Sequence, residues 1–290
     1  MTENAIPRRT DQSRHRELIG PAMLLEPVAV DMAYGRFLPF ASLPQVFLSS
    51  EIEFYANFTS DLTQADPKKR EHDGFLFVRK PNDRFLFHHK PRVGTNNSTD
   101  PDTWRLPDPS IGLLPSVHIH SHPADVCHSP ARADMEVLMR GIGNSGDSFV
   151  PPALLVATPE HNYLMIKSAE TPVIDKDYEL DGAIHESTKL DEKDLYQDPA
   201  DLVGHPVNAA QAITIEGLQK KILGGDSLRT HYDNFMGAIY LAEAYNLGFY
   251  RSDNDGQYVR MTREMVWEQL TQTREKVVTA IKARLAQAQI

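Results

Sequence analysis

Hydrophobic and polar positions along this 290-residue chain are arranged in strand-like and helix-like stretches that predict an α/β fold. Val46-Phe47-Leu48 is an apolar run suited to a strand, and Ser49 and Ser50 after it offer caps for a helix. That helix carries Ile52, Phe54, Tyr55, Phe58 and Leu62 at amphipathic spacing, and Asp66-Pro67 interrupts it. A further turn through Lys68, Lys69 and Arg70 delivers Glu71. Gly74 to Arg79 and Arg84 to His88 are apolar, aromatic runs flanking Pro81-Asn82-Asp83, which is turn chemistry, so a hairpin is expected. The proline-rich stretch from Pro91 to Pro115 reads as a long loop in which Trp104 anchors against the core. A strand through Val117 follows and ends at Pro123. Met135, Leu138, Met139 and Ile142 then continue a helix, and Pro152 to Ala157 and Tyr163 to Ile166 read as two strands around Glu160-His161-Asn162.

Outside this core the pattern loosens. Residues 1–44 read as an N-terminal arm, polar at first and interrupted by Pro7, Pro21 and Pro27, with Met23 to Leu25 and Val28 to Val30 as a docking strip. Residues 45–168 hold the core, a mixed sheet flanked by helices. Residues 169–211 are acidic and without period from Asp175 to Asp201, as expected of a solvated linker. Residues 212–290 read as a mainly helical extension with a small hairpin, Leu247 to Arg251 and Gln257 to Met261, turned at Asp253-Asn254-Asp255-Gly256. Its last helix bears Trp267, Leu270, Val277, Val278, Ile281 and Leu285 as an apolar stripe that packs on the body or receives a protein partner.

Charge and cysteine usage narrow the classes of partner. With 40 acidic against 30 basic residues and a formal charge of −10, the chain has no overall attraction for phosphate backbones, so nucleic acid is not expected. The polar stretch Met1 to Gly20 lacks the apolar centre of a secretory signal, and no apolar run approaches the length of a membrane span. One cysteine, Cys127, excludes an internal disulfide framework and a cysteine-based zinc site. A cytoplasmic protein is the expectation.

The chemistry concentrates in Val117-His118-Ile119-His120-Ser121-His122-Pro123. Alternate residues of a strand share a face, so His120 and His122 project together and can meet one ion. Ser129-Pro130 reads as a helix start, with Ser as N-cap and Pro at the first helical position, and brings Asp134 early onto that helix. Two imidazoles and a carboxylate are ligands that zinc accepts, with a fourth position left for water as in catalytic sites. Iron and manganese suit the same set. His118, deeper on the same face, reads as a supporting or packing histidine rather than a ligand.

His120-Ser121-His122-Pro123 with Ser129 and Asp134, together with Glu71-His72-Asp73-Gly74-Phe75-Leu76-Phe77 upstream, resembles the JAMM (MPN+) metalloprotease motif. The resemblance spans roughly residues 45 to 168, although Ser129 lies nearer His122 and farther from Asp134 than in the family pattern. It implies an MPN core, one zinc ion on His120, His122 and Asp134, and Glu71 as general base. Ser129 would be either the oxyanion donor or only a helix cap. The implied substrate is a peptide or isopeptide bond at the C-terminus of ubiquitin or a ubiquitin-like modifier. The alternatives are a hydrolase of the same fold acting on small molecules or sulfur-carrier-like proteins, and a non-catalytic MPN-like scaffold that binds protein partners.

Overall fold

The computed structural model describes residues 22–67, 70–91, 111–123, 130, 134–135, 138–139, 151–172, 203–204, 206–223 and 228–287. Trp104, Cys127, Ser129 and the acidic stretch from Asp175 to Asp201 lie outside the described residues. Among the described residues nine strands form one mixed sheet, and five α-helices are bounded. The strands are β1 (Ala22–Leu24), β2 (Val46–Leu48), β3 (His72–Arg79), β4 (Arg84–Pro91), β5 (Leu113–Ser121), β6 (Ala153–Ala157), β7 (Asn162–Lys167), β8 (Leu247–Ser252) and β9 (Gln257–Arg260). Across the sheet they run β1-β2-β9-β8-β7-β6-β5-β3-β4. The helices are α1 (Leu25–Ala33), α2 (Glu51–Ala65), α3 (Ala209–Ile222), α4 (Leu228–Ala244) and α5 (Arg263–Gln287). No described helix is long and apolar enough to cross a membrane.

The sheet's central strands are buried on both faces, and strand alternation sorts their side chains between two apolar layers. Leu154, Val156, Tyr163 and Met165 point to one layer, with Phe235 and Ile239 of α4, Val266 and Leu270 of α5, and Met135, Leu138 and Met139. Leu155, Ala157, Leu164 and Ile166 point to the other, against α1 and α2. Val117 and Ile119 of β5 also join the α1/α2 layer. Their neighbours His118 and His120 therefore face the opposite way, toward the helical residue Asp134. A register shift between Leu76 and Phe77 of β3 leaves Ser116 unpaired in β5, and its hydroxyl donates to the Ala29 carbonyl of α1 at 2.7 Å.

The docking strip expected in the N-terminal arm is present as β1 and α1. Leu25, Val28, Ala29 and Met32 are buried at i, i+3, i+4 and i+7 spacing, one helix face laid on the sheet. Pro27 falls in the first turn, where a missing N–H costs no helical hydrogen bond. The hairpin of the C-terminal stretch is not a separate appendage. β8 pairs with β7 and β9 pairs with β2, so these two strands complete the same sheet as β5. Glu53 of α2 fixes that junction, its buried carboxylate accepting hydrogen bonds from Tyr258 and from Ser252 at 3.2 Å. Burial nevertheless raises its pKa against those bonds.

The packing face of α2 differs from the sequence expectation. Its aromatic stripe predicts a buried face through Phe54 and Phe58, yet these are 61% and 41% exposed. The inward face is Ile52, Glu53, Ala56, Thr59, Ser60 and Thr63. Small and hydrogen-bonding side chains let the helix lie close on the strands, and each polar group has to find a partner there. The aromatics gather outside instead, with Tyr55 stacked on Phe87 of β4 at 4.6 Å. That same ring lies over Gly74, where a Cβ would sit 2.2 Å from it.

Glu26 of α1 caps α2 from outside the helix, accepting from Ser49 Oγ at 2.8 Å, Ser50 N at 2.9 Å and Glu51 N at 3.0 Å. Burial pushes its carboxyl up, but the combined hydrogen bonds outweigh that and hold it below its ordinary value. A depressed native pKa gives stability that is present above the unfolded value and lost as pH falls through the native one. Glu26→Gln is expected to lower unfolding free energy by about 0.5–2 kcal/mol at neutral pH, with the gap to wild type closing in acid, as read by chemical denaturation. Gly256→Ala should be costlier than a typical surface change, because the residue sits at φ +76° and its Cβ would lie 2.5 Å from the Ser49 carbonyl oxygen. Thermal melting of the variant checks this.

Candidate metal centre

β5 is held rigidly at the end where the histidines emerge. On one side it pairs with β3, placing His72 opposite Ser121, Asp73 opposite His120 and Phe75 opposite His118. On the other it runs parallel to β6, and the ladder continues past the strand end with His122 N–H donating to the Ala157 carbonyl at 2.9 Å. From the layer beneath, Thr63 of α2 makes a short hydrogen bond with Ser121, and Gln64 Nε2 donates to the His122 carbonyl at 3.3 Å. His120 is thus a strand residue, while His122 lies one step beyond the strand with its backbone fixed on two sides.

The predicted ligands converge. His120 Nε2 lies 3.1 Å from His122 Nε2 and 3.0 Å from Asp134 Oδ1, and His122 Nε2 lies 3.6 Å from Asp134 Oδ2. The three residues are 3%, 4% and 8% exposed. Zinc bonds of about 2.0–2.1 Å at a tetrahedral centre separate the ligand atoms by about 3.3 Å, and the observed triangle brackets that edge. Two ring nitrogens and a carboxylate oxygen within 4.8 Å of one another form a donor set that suits a metal ion.

Glu71 immediately precedes β3 and is half-buried. The last registered pair is His72 with Ser121, so Glu71 stands one residue before it and two before Asp73, whose partner is His120. The chain is pinned on both sides of Glu71. Arg70 Nε meets Asp66 Oδ2 at 2.7 Å and His72 Nε2 meets the same oxygen at 3.3 Å. Asp66 at the end of α2 therefore sets where Glu71 begins the strand.

Comparison with protein-family models, curated proteins and solved structures returned no match. The reading of the centre stands on its geometry.

Of the residues expected at the site, His120, His122 and Asp134 are brought together, Glu71 directly precedes β3, and Ser129 lies outside the described residues. Sequence reasoning missed Asp73. It is fully buried and within 3.3 Å of His118 Nε2 through Oδ1. The signal was present, since Glu71 and Asp73 are two apart at the start of a strand and must share a face.

Removing the brace beneath β5 is expected to loosen the centre. Thr63→Val keeps the shape but leaves the buried Ser121 hydroxyl without that partner, for a loss of about 1–3 kcal/mol in denaturant unfolding. Metal affinity should fall about 10- to 100-fold, the usual effect of disturbing groups that orient ligands, as measured by competition with a chelating dye.

Proposed function

We propose that this chain is a zinc-dependent hydrolase of amide or isopeptide bonds, built on a JAMM-type core. The observation that carries the reading is the convergence of His120, His122 and Asp134 at tetrahedral-edge distances, with Glu71 directly before β3, the strand paired to theirs. These three residues would hold the ion. Zinc bound there would lower the pKa of water and polarise a substrate carbonyl.

Glu71 then has one task at each end of the reaction. Its carboxylate takes a proton from the attacking water as the new C–O bond forms. It returns that proton to the departing amine as the C–N bond breaks, leaving a free carboxylate on one product and a free amine on the other. The buried walls around His120 and His122 restrict bulk water, which strengthens the charge interactions of this exchange. Ser129, or a backbone N–H beside it, would donate to the developing oxyanion.

The substrate class follows from the motif. The bond cleaved lies after the C-terminus of ubiquitin or a ubiquitin-like modifier. Such a tail is extended, and β4 is the outer strand of the sheet among the described residues. Its Pro91 end lies opposite His72, beside the end of the metal strand. A strand added along that edge would carry the tail toward the centre by backbone hydrogen bonding.

Cleavage of a panel of ubiquitin-like fusions tests the proposal. Wild-type protein should release the modifier at its C-terminus, and Glu71→Gln should lower the rate by on the order of 10²–10⁴ while zinc content stays unchanged. Full activity in Glu71→Gln would overturn the assignment of the base, and absence of zinc from the wild-type protein would overturn the hydrolase reading itself.

A further inference from the structure

His118 and Asp73 sit behind the centre just described, on the same face of the sheet and deeper in it. They are 1% and 0% exposed. His118 is stacked on Phe75 with ring centroids 4.4 Å apart and planes 6° from parallel, so its ring is held in one orientation. Its Nε2 lies 3.3 Å from Asp73 Oδ1. Coordinating atoms of Asp73, His118 and His120 all lie within 4.8 Å of one another.

The 3.3 Å contact fits two accounts of the pair, a long hydrogen bond and two ligands of one ion. A hydrogen bond between an imidazolium and a carboxylate settles at about 2.7–2.9 Å, and a buried charge pair needs that good geometry to offset desolvation. A separation of about 3.3 Å is also the edge between two ligands of a tetrahedral ion. His120 has two ring nitrogens to offer. Its Nε2 meets His122 and Asp134, whereas its Nδ1 is buried with no hydrogen-bond partner among the described residues.

The geometry points to an inner metal position, formed by Asp73, His118 and His120, that binds a divalent transition ion and shares His120 with the outer position on His120, His122 and Asp134. Two imidazoles and one carboxylate select zinc or a similar borderline ion over calcium and magnesium, which take oxygen ligands. The inference rests on the hydrolase reading only in sharing His120 as a ligand. His118 is a ligand in this arrangement, not a packing histidine.

The test disables the outer position and asks whether metal remains. The full chain is stripped of metal, equilibrated with zinc chloride and desalted, and zinc per chain is measured by mass spectrometry, with circular dichroism reporting the fold. His122→Ala/Asp134→Asn should retain about one ion per chain, and adding Asp73→Asn should remove it. If the outer pair of substitutions abolishes zinc binding in a folded protein while wild type binds it, the inner position is overturned and the hydrolase proposal stands. If wild type binds none, both fall. Asp134→Asn alone, a near-isosteric change, serves if the double variant does not fold. Loaded with cobalt, it should show ligand-field absorption that Asp73→Asn or His118→Asn abolishes, and bands indifferent to both substitutions would overturn the inner position.

Discussion

The short hydrogen bond between Thr63 of α2 and Ser121 of β5 joins the two halves of the site. Ser121 lies between His120 and His122 and, by alternation, on the opposite face. A hydroxyl there is buried and must be satisfied, and α2 satisfies it. The same helix holds the His122 carbonyl through Gln64 and, through Asp66, the two residues that flank Glu71. One helix therefore positions both the proposed ligands and the proposed base from beneath the sheet. Its own placement depends on Glu26 at its start and on Glu53 within its first turns, so the accuracy of the centre rests on contacts well away from it.

This arrangement explains why so many polar residues lie in the interior. The buried groups Glu53, Thr59, Thr63, Asp66, His72, Asp73, His118 and Ser121 occupy the strands and helix around the centre. An apolar core would be easier to stabilise, but it could not fix imidazole and carboxylate orientations. The side chains that would ordinarily fill α2's inward face are displaced outward, which is why Phe54 and Phe58 are exposed while Tyr55 packs on Phe87.

Much of the arrangement was legible in the residues. Period-two alternation and a proline after His122 are strong signals, and they gave strand β5, its end and the shared face of its histidines. Turn chemistry at Pro81-Asn82-Asp83 and at Asp253-Asn254-Asp255-Gly256 gave both hairpins. What was not legible depends on partners distant in sequence. Nothing local says that Gln257–Arg260 pairs with Val46–Leu48, or that Glu26 caps the helix at Glu51. The inward face of α2 was misread because hydrophobicity ranks Phe54 above Thr59 and Thr63, whereas close approach to a sheet favours the smaller residues. Asp73 was passed over because its role appears only when β3 is set against β5.

The insertion of β8 and β9 between β7 and β2 also bears on how the protein comes into being. Glu53 and Tyr258 meet across 205 positions of sequence, and α2 is not fixed at its first turns until that meeting occurs. A chain leaving the ribosome can form the β3/β4 hairpin early and set β5 against it, because those pairings are nearer in sequence. The sheet cannot close until the last strands are available, and pairing over such distances is slow. Until then the facing edges of β2 and β7 are unsatisfied, and the strand that carries the histidines is supported by a helix not yet anchored. The proposed centre would thus take its final form only after β8 and β9 have been made.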